Sequence, residues 1–229
     1  FSIGIDVGTE ENDKLSLAAA MMDVAGTDTL SNEALQKEWY RLGSSFSFGA
    51  GENASGFSLS GLDEQFETSL ALMMDVIKQP STDEATLDQL KAILLKSRQD
   101  QKSSPPAISR ALYLYNRYGE ESPLLESLSS ADILATPLEE LLSLPSDLLG
   151  YEHTLAYTGS LPLEQLVETL RRHHPLAGDL KQTPAYRFRT AREISSNEVY
   201  VVDQQTAQAQ VRIEFADGEY DADDRVPAS

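Results

Sequence analysis

The sequence predicts an α+β domain, a two-layer sandwich in which helices pack on one face of a mixed or antiparallel sheet. Short runs that alternate apolar and polar residues indicate strands, and longer runs with apolar residues every three or four positions indicate helices. The two patterns are interspersed along the chain, which favours helices packed against a single sheet. With 229 residues, 41% of them apolar, the chain is large enough to bury a core.

The first predicted elements are a strand and two helices. Residues 1–7 alternate as FSIGIDV and predict a strand. Small and apolar residues recur at helical spacing within residues 12–25, and Gly26 ends that helix. Ser31 is a favourable N-cap for the next helix, which we expect over residues 31–42.

A hairpin and a long helix follow. Residues 44–48 and 56–60 are short alternating runs on either side of the loop GAGENAS, and they predict two strands in the same sheet as the first strand. Residues 63–79 predict a helix that lies across this sheet. Its apolar stripe consists of Phe66, Leu70, Met73, Met74 and Ile77.

Caps and prolines locate the later helices. Ser81 and Glu84 fit a capping box at the start of the next helix. Pro105 begins another helix, which Gly119 terminates. The remaining predicted elements are a short helix over 138–142, a strand over 154–158 and an amphipathic helix that contains Leu163, Leu166, Val167 and Leu170.

The pattern changes near residue 175, and the sequence predicts three parts. Residues 1–175 form the α+β domain, and residues 176–197 form a linker without clear periodicity. Residues 198–229 contain two strand-like runs, at 199–203 and 210–215.

The composition excludes several classes of function. The net charge of −19 argues against binding to nucleic acid or to an anionic membrane, because both need clustered lysine and arginine. The sequence has no cysteine, which excludes disulfides, thiolate zinc sites and thiol catalysis. The redox compartment stays open, and a periplasmic or secreted location is slightly favoured over a cytoplasmic one.

The three histidines do not have the spacing of a metal site. His173 and His174 are adjacent on a helix, so their side chains point about 100° apart. His153 has no partner at metal-ligand spacing, and we expect it to lie at the surface. The acidic run at 217–224 lacks the residue order of a calcium loop, and we expect a solvated loop there. No metal site is predicted in this chain.

The segment LSLAAAMMDVAGT, residues 15–27, resembles the zinc-helix region of the pitrilysin/insulinase metallopeptidases. In that family an inverted H-x-x-E-H motif lies on a helix that leads into a Gly-Thr pair. With the Gly-Thr pairs aligned, Leu17 and Met21 stand where the two histidines would be, and Ala20 stands where the glutamate would be. These side chains supply neither a metal ligand nor a general base, so no catalytic residue is predicted.

Other segments continue the resemblance in the same order. Residues 31–48 and 56–80 resemble the family's following helices and strands, and ALYLYNRYGEESP and YEHTLAYTGS resemble two later marks. These marks are a Tyr-Gly before a proline and a strand that ends in Tyr-x-Gly. The family's third zinc ligand, a glutamate, would fall within ILLKSRQD near Lys96 and Ser97, where a lysine would repel a divalent cation.

The resemblance implies a non-catalytic domain from the C-terminal half of a large zinc metallopeptidase. In large members of the family, a segment like VYVVDQQTAQAQVRIEF resembles the opening strands of the next domain, so residues 198–229 are expected to be the opening strands of a following, truncated domain. Such a domain helps to close a chamber around a peptide substrate, and its partners are that peptide and the other domains of the same polypeptide. Zinc is expected only in the N-terminal half of the parent protein, and this fragment alone would have neither cofactor nor enzymatic activity. Ser45, Phe46 and Phe48 are the candidate chamber residues. The alternative is a stand-alone structural or protein-interaction subunit that shares the fold without proteolysis.

Overall fold

The structure is a computed structural model, and it describes residues 1–175, 178–204 and 209–215. The chain divides into two compact units. Unit 1 contains residues 1–97 and 127–188, and unit 2 contains residues 98–126 and the described residues from 189 onwards.

The described residues form strands and helices that are interspersed along the chain. The strands are β1 (Ser2–Ile5), β2 (Gly26–Thr27), β3 (Ser45–Ala50), β4 (Ser55–Ser60), β5 (Pro80–Ser81) and β6 (Thr154–Ala156). The α-helices are α1 (Leu15–Met22), α2 (Asn32–Leu42), α3 (Phe66–Lys78), α4 (Glu84–Gln101), α5 (Pro105–Tyr118), α6 (Ser130–Ala135), α7 (Leu138–Leu148) and α8 (Leu163–His173). No helix among the described residues combines the length and the apolar character that a membrane span requires.

Four strands of unit 1 form an antiparallel sheet in the order β3-β4-β1-β6, and β2 and β5 form a separate antiparallel pair. The α+β fold class predicted from the sequence is confirmed. The predicted pairing is also confirmed, because β3 and β4 form a hairpin and β4 pairs with β1.

The two faces of the four-stranded sheet differ in the size of their side chains. One face packs against helices and carries residues that are at most 6% exposed: Ile3, Ile5, Phe48, Phe57 and Leu59. The opposite face, here called the open face, carries only serine and glycine along β1, β3 and β4: Ser2, Gly4, Ser45, Ser47, Gly49, Gly56, Ser58 and Ser60. This difference follows from the alternation of side chains along each strand.

Helix α3 packs on the sheet through the predicted apolar stripe. Its five residues, from Phe66 to Ile77, are each at most 7% exposed. The Phe66 ring contacts the rings of Phe1 and Tyr157 edge to face, with centroids 5.7 and 5.2 Å apart. The stripe is therefore core, as its spacing predicted.

The cap of α2 is as predicted, whereas that of α4 is not. Ser31 caps α2 by accepting a hydrogen bond from the backbone N–H of Ala34. The capping box with Ser81 is wrong, because Ser81 lies in β5. Instead Asp83 accepts a hydrogen bond from the backbone N–H of Thr86 at 2.8 Å. Aspartate one residue before the helix satisfies a free N–H group as well as serine does.

Two helices differ from the sequence prediction. Helix α7 continues to Leu148, well beyond the predicted end, although Pro145 lies inside it. Burial of its apolar face, which includes Leu141, outweighs the loss of one backbone donor at the proline. Helix α6 was not predicted because it is only six residues long.

The described part of unit 2 contains the last turn of α4, helix α5 and an extended segment that runs along α5. The strands predicted at 199–203 and 210–215 are absent, since the described residues there form no backbone ladder. Side chains hold the segment instead: the Arg192 guanidinium donates to the Asn116 carbonyl at 2.6 Å, and Arg212 lies 3.7 Å from the Tyr113 ring centre. A strand needs a partner's N–H and C=O groups, and the described residues supply none here.

The predicted division into residues 1–175, 176–197 and 198–229 stays a prediction. Residues 176–177, 205–208 and 216–229 are outside the described residues, and so is the loop predicted at 217–224.

Candidate functional site

Helix α1 holds the three positions where the zinc motif would lie. Leu17 is 3% exposed and Met21 is 0% exposed, so both side chains are part of the core. Ala20 is half-buried, and a methyl group can neither bind a metal nor accept a proton. These residues do not fit a zinc ion, which takes nitrogen, sulfur or carboxylate oxygen ligands.

The position of the third ligand is equally unsuited to a metal. Lys96 and Ser97 lie on α4, and both are exposed. Across the described part of the chain, no three histidine, aspartate or glutamate side chains come together as a group able to hold a metal ion.

The Gly-Thr pair after α1 has a structural role. A Cβ atom on Gly26 would lie 2.1 Å from the backbone oxygen of Leu30, so only glycine fits there. The Thr27 hydroxyl accepts hydrogen bonds from the backbone N–H groups of Thr29 and Leu30 at 3.3 and 3.1 Å. This part of the motif shapes the turn into α2 and needs no metal.

Strand β3 is one of the two edges of the sheet, opposite β6, and its hydrogen-bond directions follow from its neighbour β4. Phe1 and Leu59 exchange two hydrogen bonds at 2.9 Å, so the backbone groups of Leu59 point toward β1. Phe46 lies opposite Leu59 on the other side of β4. Because backbone direction alternates along a strand, the N–H and C=O groups of Phe46 and Phe48 point away from the sheet.

A cleft of about 450 Å³ lies next to the first residues of β3, between α1 and α2. The stacked rings of Trp39 and Phe46, with centroids 6.0 Å apart, form its apolar floor. Its lining residues are Met22, Asp23, Leu35, Gln36, Trp39, Tyr40, Ser44, Ser45, Phe46 and Val76. Asp23 is the charged residue among them.

The structure brings two of the three candidate chamber residues to this cleft. Ser45 is exposed and Phe46 is half-buried, and both line it. Phe48 is 6% exposed, and its ring stacks on Phe57 with centroids 4.7 Å apart. Its side chain is thus part of the core, while its backbone lies on the edge.

His153 and His174 are far apart in the sequence and adjacent in the structure. His153 was predicted to lie at the surface, whereas it is half-buried and its Nε2 atom lies 2.8 Å from the Nε2 atom of His174. His174 is 7% exposed, and burial lowers its pKa from 6.5 to about 4. The pair joins the start of β6 to the end of α8. Since 21 residues separate the two, no local spacing could have revealed it.

The Tyr-x-Gly mark after β6 also has a structural role. The Asp63 carboxylate accepts hydrogen bonds from the Tyr157 hydroxyl at 2.6 Å and from the Ser160 backbone N–H at 2.8 Å. Bonds from Ser160 and then Tyr157 lower the pKa of Asp63. A Cβ atom on Gly159 would lie 2.1 Å from the Tyr157 hydroxyl oxygen. The mark therefore fastens the end of β6 to the start of α3.

No family model matches the chain, and no curated protein does. Several solved structures match the chain. The ferredoxin protease FusC, in a complex with Arabidopsis ferredoxin, matches 83% of this chain with a TM-score of 0.71 and 16% identity. A peptidase M16 inactive domain from Pseudomonas fluorescens matches 80% with a TM-score of 0.61 and 18% identity. The periplasmic protease PqqL from Escherichia coli matches 82% with a TM-score of 0.55 and 16% identity.

The chain spans only part of each of these structures: 21% of the FusC and PqqL chains and 48% of the Pseudomonas fluorescens chain. These matches confirm the predicted resemblance for the fold. The chain has the fold of the M16 peptidase domains, one of them described as inactive, and its α1 helix has no metal ligand at the motif positions.

Proposed function

We propose that this chain is a non-catalytic domain that encloses and binds the polypeptide substrate of a pitrilysin/insulinase-type zinc metalloendopeptidase. The observation that carries this proposal is an M16 peptidase fold whose α1 helix has Leu17, Ala20 and Met21 at the motif positions. Zinc and the catalytic residues would come from the N-terminal half of the parent polypeptide, which would therefore be the enzyme.

The relation between this chain and its structural relatives supports a role as one domain among several. The chain matches about a fifth of the FusC chain, and FusC is a protease seen with a protein, ferredoxin. The other domains of the same polypeptide would be its partners, together with the peptide. PqqL is a periplasmic protease, which supports a periplasmic location.

The sheet of unit 1 has two surfaces suited to a polypeptide. On the open face, serine and glycine leave the backbone close to the surface, so an extended chain can pass without steric obstruction. At the edge, Phe46 and Phe48 direct backbone groups outward that bond to no described residue, as in proteins that bind peptides by adding a strand. The net charge of −19 favours a peptide of positive charge.

Binding of an unfolded peptide tests the proposal. We expect slower hydrogen exchange in β3 when the peptide is added, and intact peptide by mass spectrometry after incubation with zinc. Protection confined to segments outside unit 1, or no binding at all, would contradict the proposal. The second result would favour the alternative, a structural subunit, and the parent sequence would then be expected to have no H-x-x-E-H motif.

A further inference from the structure

We infer that the cleft beside β3 is a subsite for a basic side chain, arginine or lysine, of an extended peptide that adds to the edge of β3. The inference rests on the proposed function, because it names the chemistry of the polypeptide that this domain binds.

The direction of the backbone groups places one peptide side chain at the cleft. A strand beside β3 would form hydrogen bonds with Phe46 and Phe48, whose N–H and C=O groups point outward. Residues directly opposite each other in such a pair have side chains on the same face. The peptide residue opposite Phe46 therefore points toward the helices, where the cleft lies, and its neighbours point toward the open face.

The floor and wall of the cleft suit a long side chain. Trp39 is 5% exposed and stacks on Phe46, so the floor is packed and apolar. Tyr40 is 90% exposed, so its ring is accessible to an entering group. Arginine and lysine have apolar stems that pack on such surfaces while the charged end stays solvated.

The charge of the cleft favours a positively charged ligand. Asp23 is the charged lining residue, and its carboxylate has no hydrogen bond or ion pair with any described residue. The charges on the adjacent α2 are already paired: Lys37 with Glu33 at 2.6 Å and Arg41 with Glu38 at 2.6 Å. Asp23 is thus available to a cation, and an acidic side chain would be repelled.

Fluorescence anisotropy with short labelled peptides tests this subsite. The probe is an extended peptide rich in threonine and valine with one central arginine, compared with the same peptide carrying uncharged citrulline. We expect the citrulline peptide to bind about tenfold more weakly, the effect of one charge-assisted hydrogen bond. Asp23→Asn should weaken arginine binding by a similar factor and abolish the difference between the two peptides.

Asp28→Asn is the matched control, since Asp28 is an exposed aspartate outside the cleft and its loss changes the net charge equally. It should leave the difference between the peptides intact. N-methylation of the peptide backbone tests addition to the edge of β3. Only alternate residues of an added strand direct their N–H groups toward β3, so methyl groups on that set should abolish binding and methyl groups on the other set should not.

The outcomes separate the two proposals. Equal binding of arginine and citrulline peptides, with β3 still protected, would overturn the basic subsite and leave the proposed function standing. Equal effects of both methylation patterns would overturn addition to β3. If no peptide binds, both proposals fail.

Discussion

At the scale of single residues, helix α1 is unsuited to zinc catalysis because its motif positions hold Leu17, Ala20 and Met21. Metal ligands must reach into a cavity, whereas Leu17 and Met21 are at most 3% exposed and contribute to the core. Gly26 and Gly159 belong to sequence motifs that resemble those of a peptidase family. In this structure both have a packing role, because a Cβ atom at either position would overlap backbone or side-chain atoms.

Gly159→Ala should destabilise unit 1 by roughly 1 to 3 kcal/mol, the usual effect of overpacking. The new methyl group would displace Tyr157 from Asp63. Gly49→Ala is the control, because no atom lies within 4 Å of its Cβ position. Denaturant unfolding of both variants measures the difference, and equal stabilities would contradict a structural role for the Tyr-x-Gly mark.

His174 should make stability depend on pH. Burial lowers its folded-state pKa from 6.5 to about 4, so the unfolded chain binds the proton first as the pH falls. Its contribution is complete above about pH 6.5 and is lost as the pH falls toward 4, by about 1 to 3 kcal/mol. Chemical unfolding between these pH values should show that His174→Gln loses less unfolding free energy than the wild-type protein as the pH falls.

His173→Gln is the control for this prediction, because His173 lies beside His174 but contacts the exposed Glu67 instead. It should keep the pH dependence of the wild-type protein between about pH 6.5 and 5, because its contact lowers the pKa of Glu67 from 4.5 and acts only below that range. An identical pH profile for His174→Gln and the wild-type protein would show that His174 is not buried as a neutral group.

At the scale of elements, periodic sequence patterns predicted the structural features that depend on residues close together in the sequence. The α3 stripe, the Ser31 cap and the β3–β4 hairpin each follow from side chains a few positions apart. Features that depend on distant residues were not predictable. Asp83 replaced Ser81 as the cap of α4 because Ser81 pairs with β2, and His153 met His174 only through the packing of α8.

The candidate site was predictable only in part. Ser45 and Phe46 could be placed on a strand from alternation, and the missing ligands could be read from the motif. The cleft could not be predicted, because it forms where α1, α2 and β3 meet in three dimensions. Asp23 gave no signal in the sequence, since one aspartate after a helix is common.

Leu70→Ala should cost about 2 to 5 kcal/mol of unfolding free energy, because the side chain is 0% exposed at the centre of the α3 stripe. Leu163→Ala removes the same atoms from a residue that is 74% exposed, and should change stability by less than about 0.5 kcal/mol. Chemical denaturation compares the two. A loss below roughly 1 kcal/mol for Leu70→Ala would mean that the stripe is not core.

At the scale of the whole molecule, the charge of −19 and an uncovered apolar segment have opposite effects on association. Charge keeps copies of the chain apart. The extended segment of unit 2 exposes large apolar side chains, each at least 71% exposed: Val199, Val201, Val211, Ile213 and Phe215. Unpaired strand-like segments with such side chains tend to pair with another chain.

Hydrogen exchange of residues 199–204 and 209–215 should therefore be fast in dilute solution, and protection should rise with protein concentration as copies pair. Screening the charge with salt should strengthen the effect. Strong protection at every concentration would show that these residues belong to an independently packed domain and that the predicted boundary is misplaced.

The central proposal is that α1, which has no zinc ligand at its motif positions, binds no zinc and supports no peptide hydrolysis. Metal analysis of chelator-free protein, together with a fluorogenic peptide assay in the presence of zinc, tests it most directly. We expect no stoichiometric zinc and no cleavage. One tightly held zinc per chain, ligated within residues 15–22, or peptide hydrolysis that a chelator abolishes, would contradict the account.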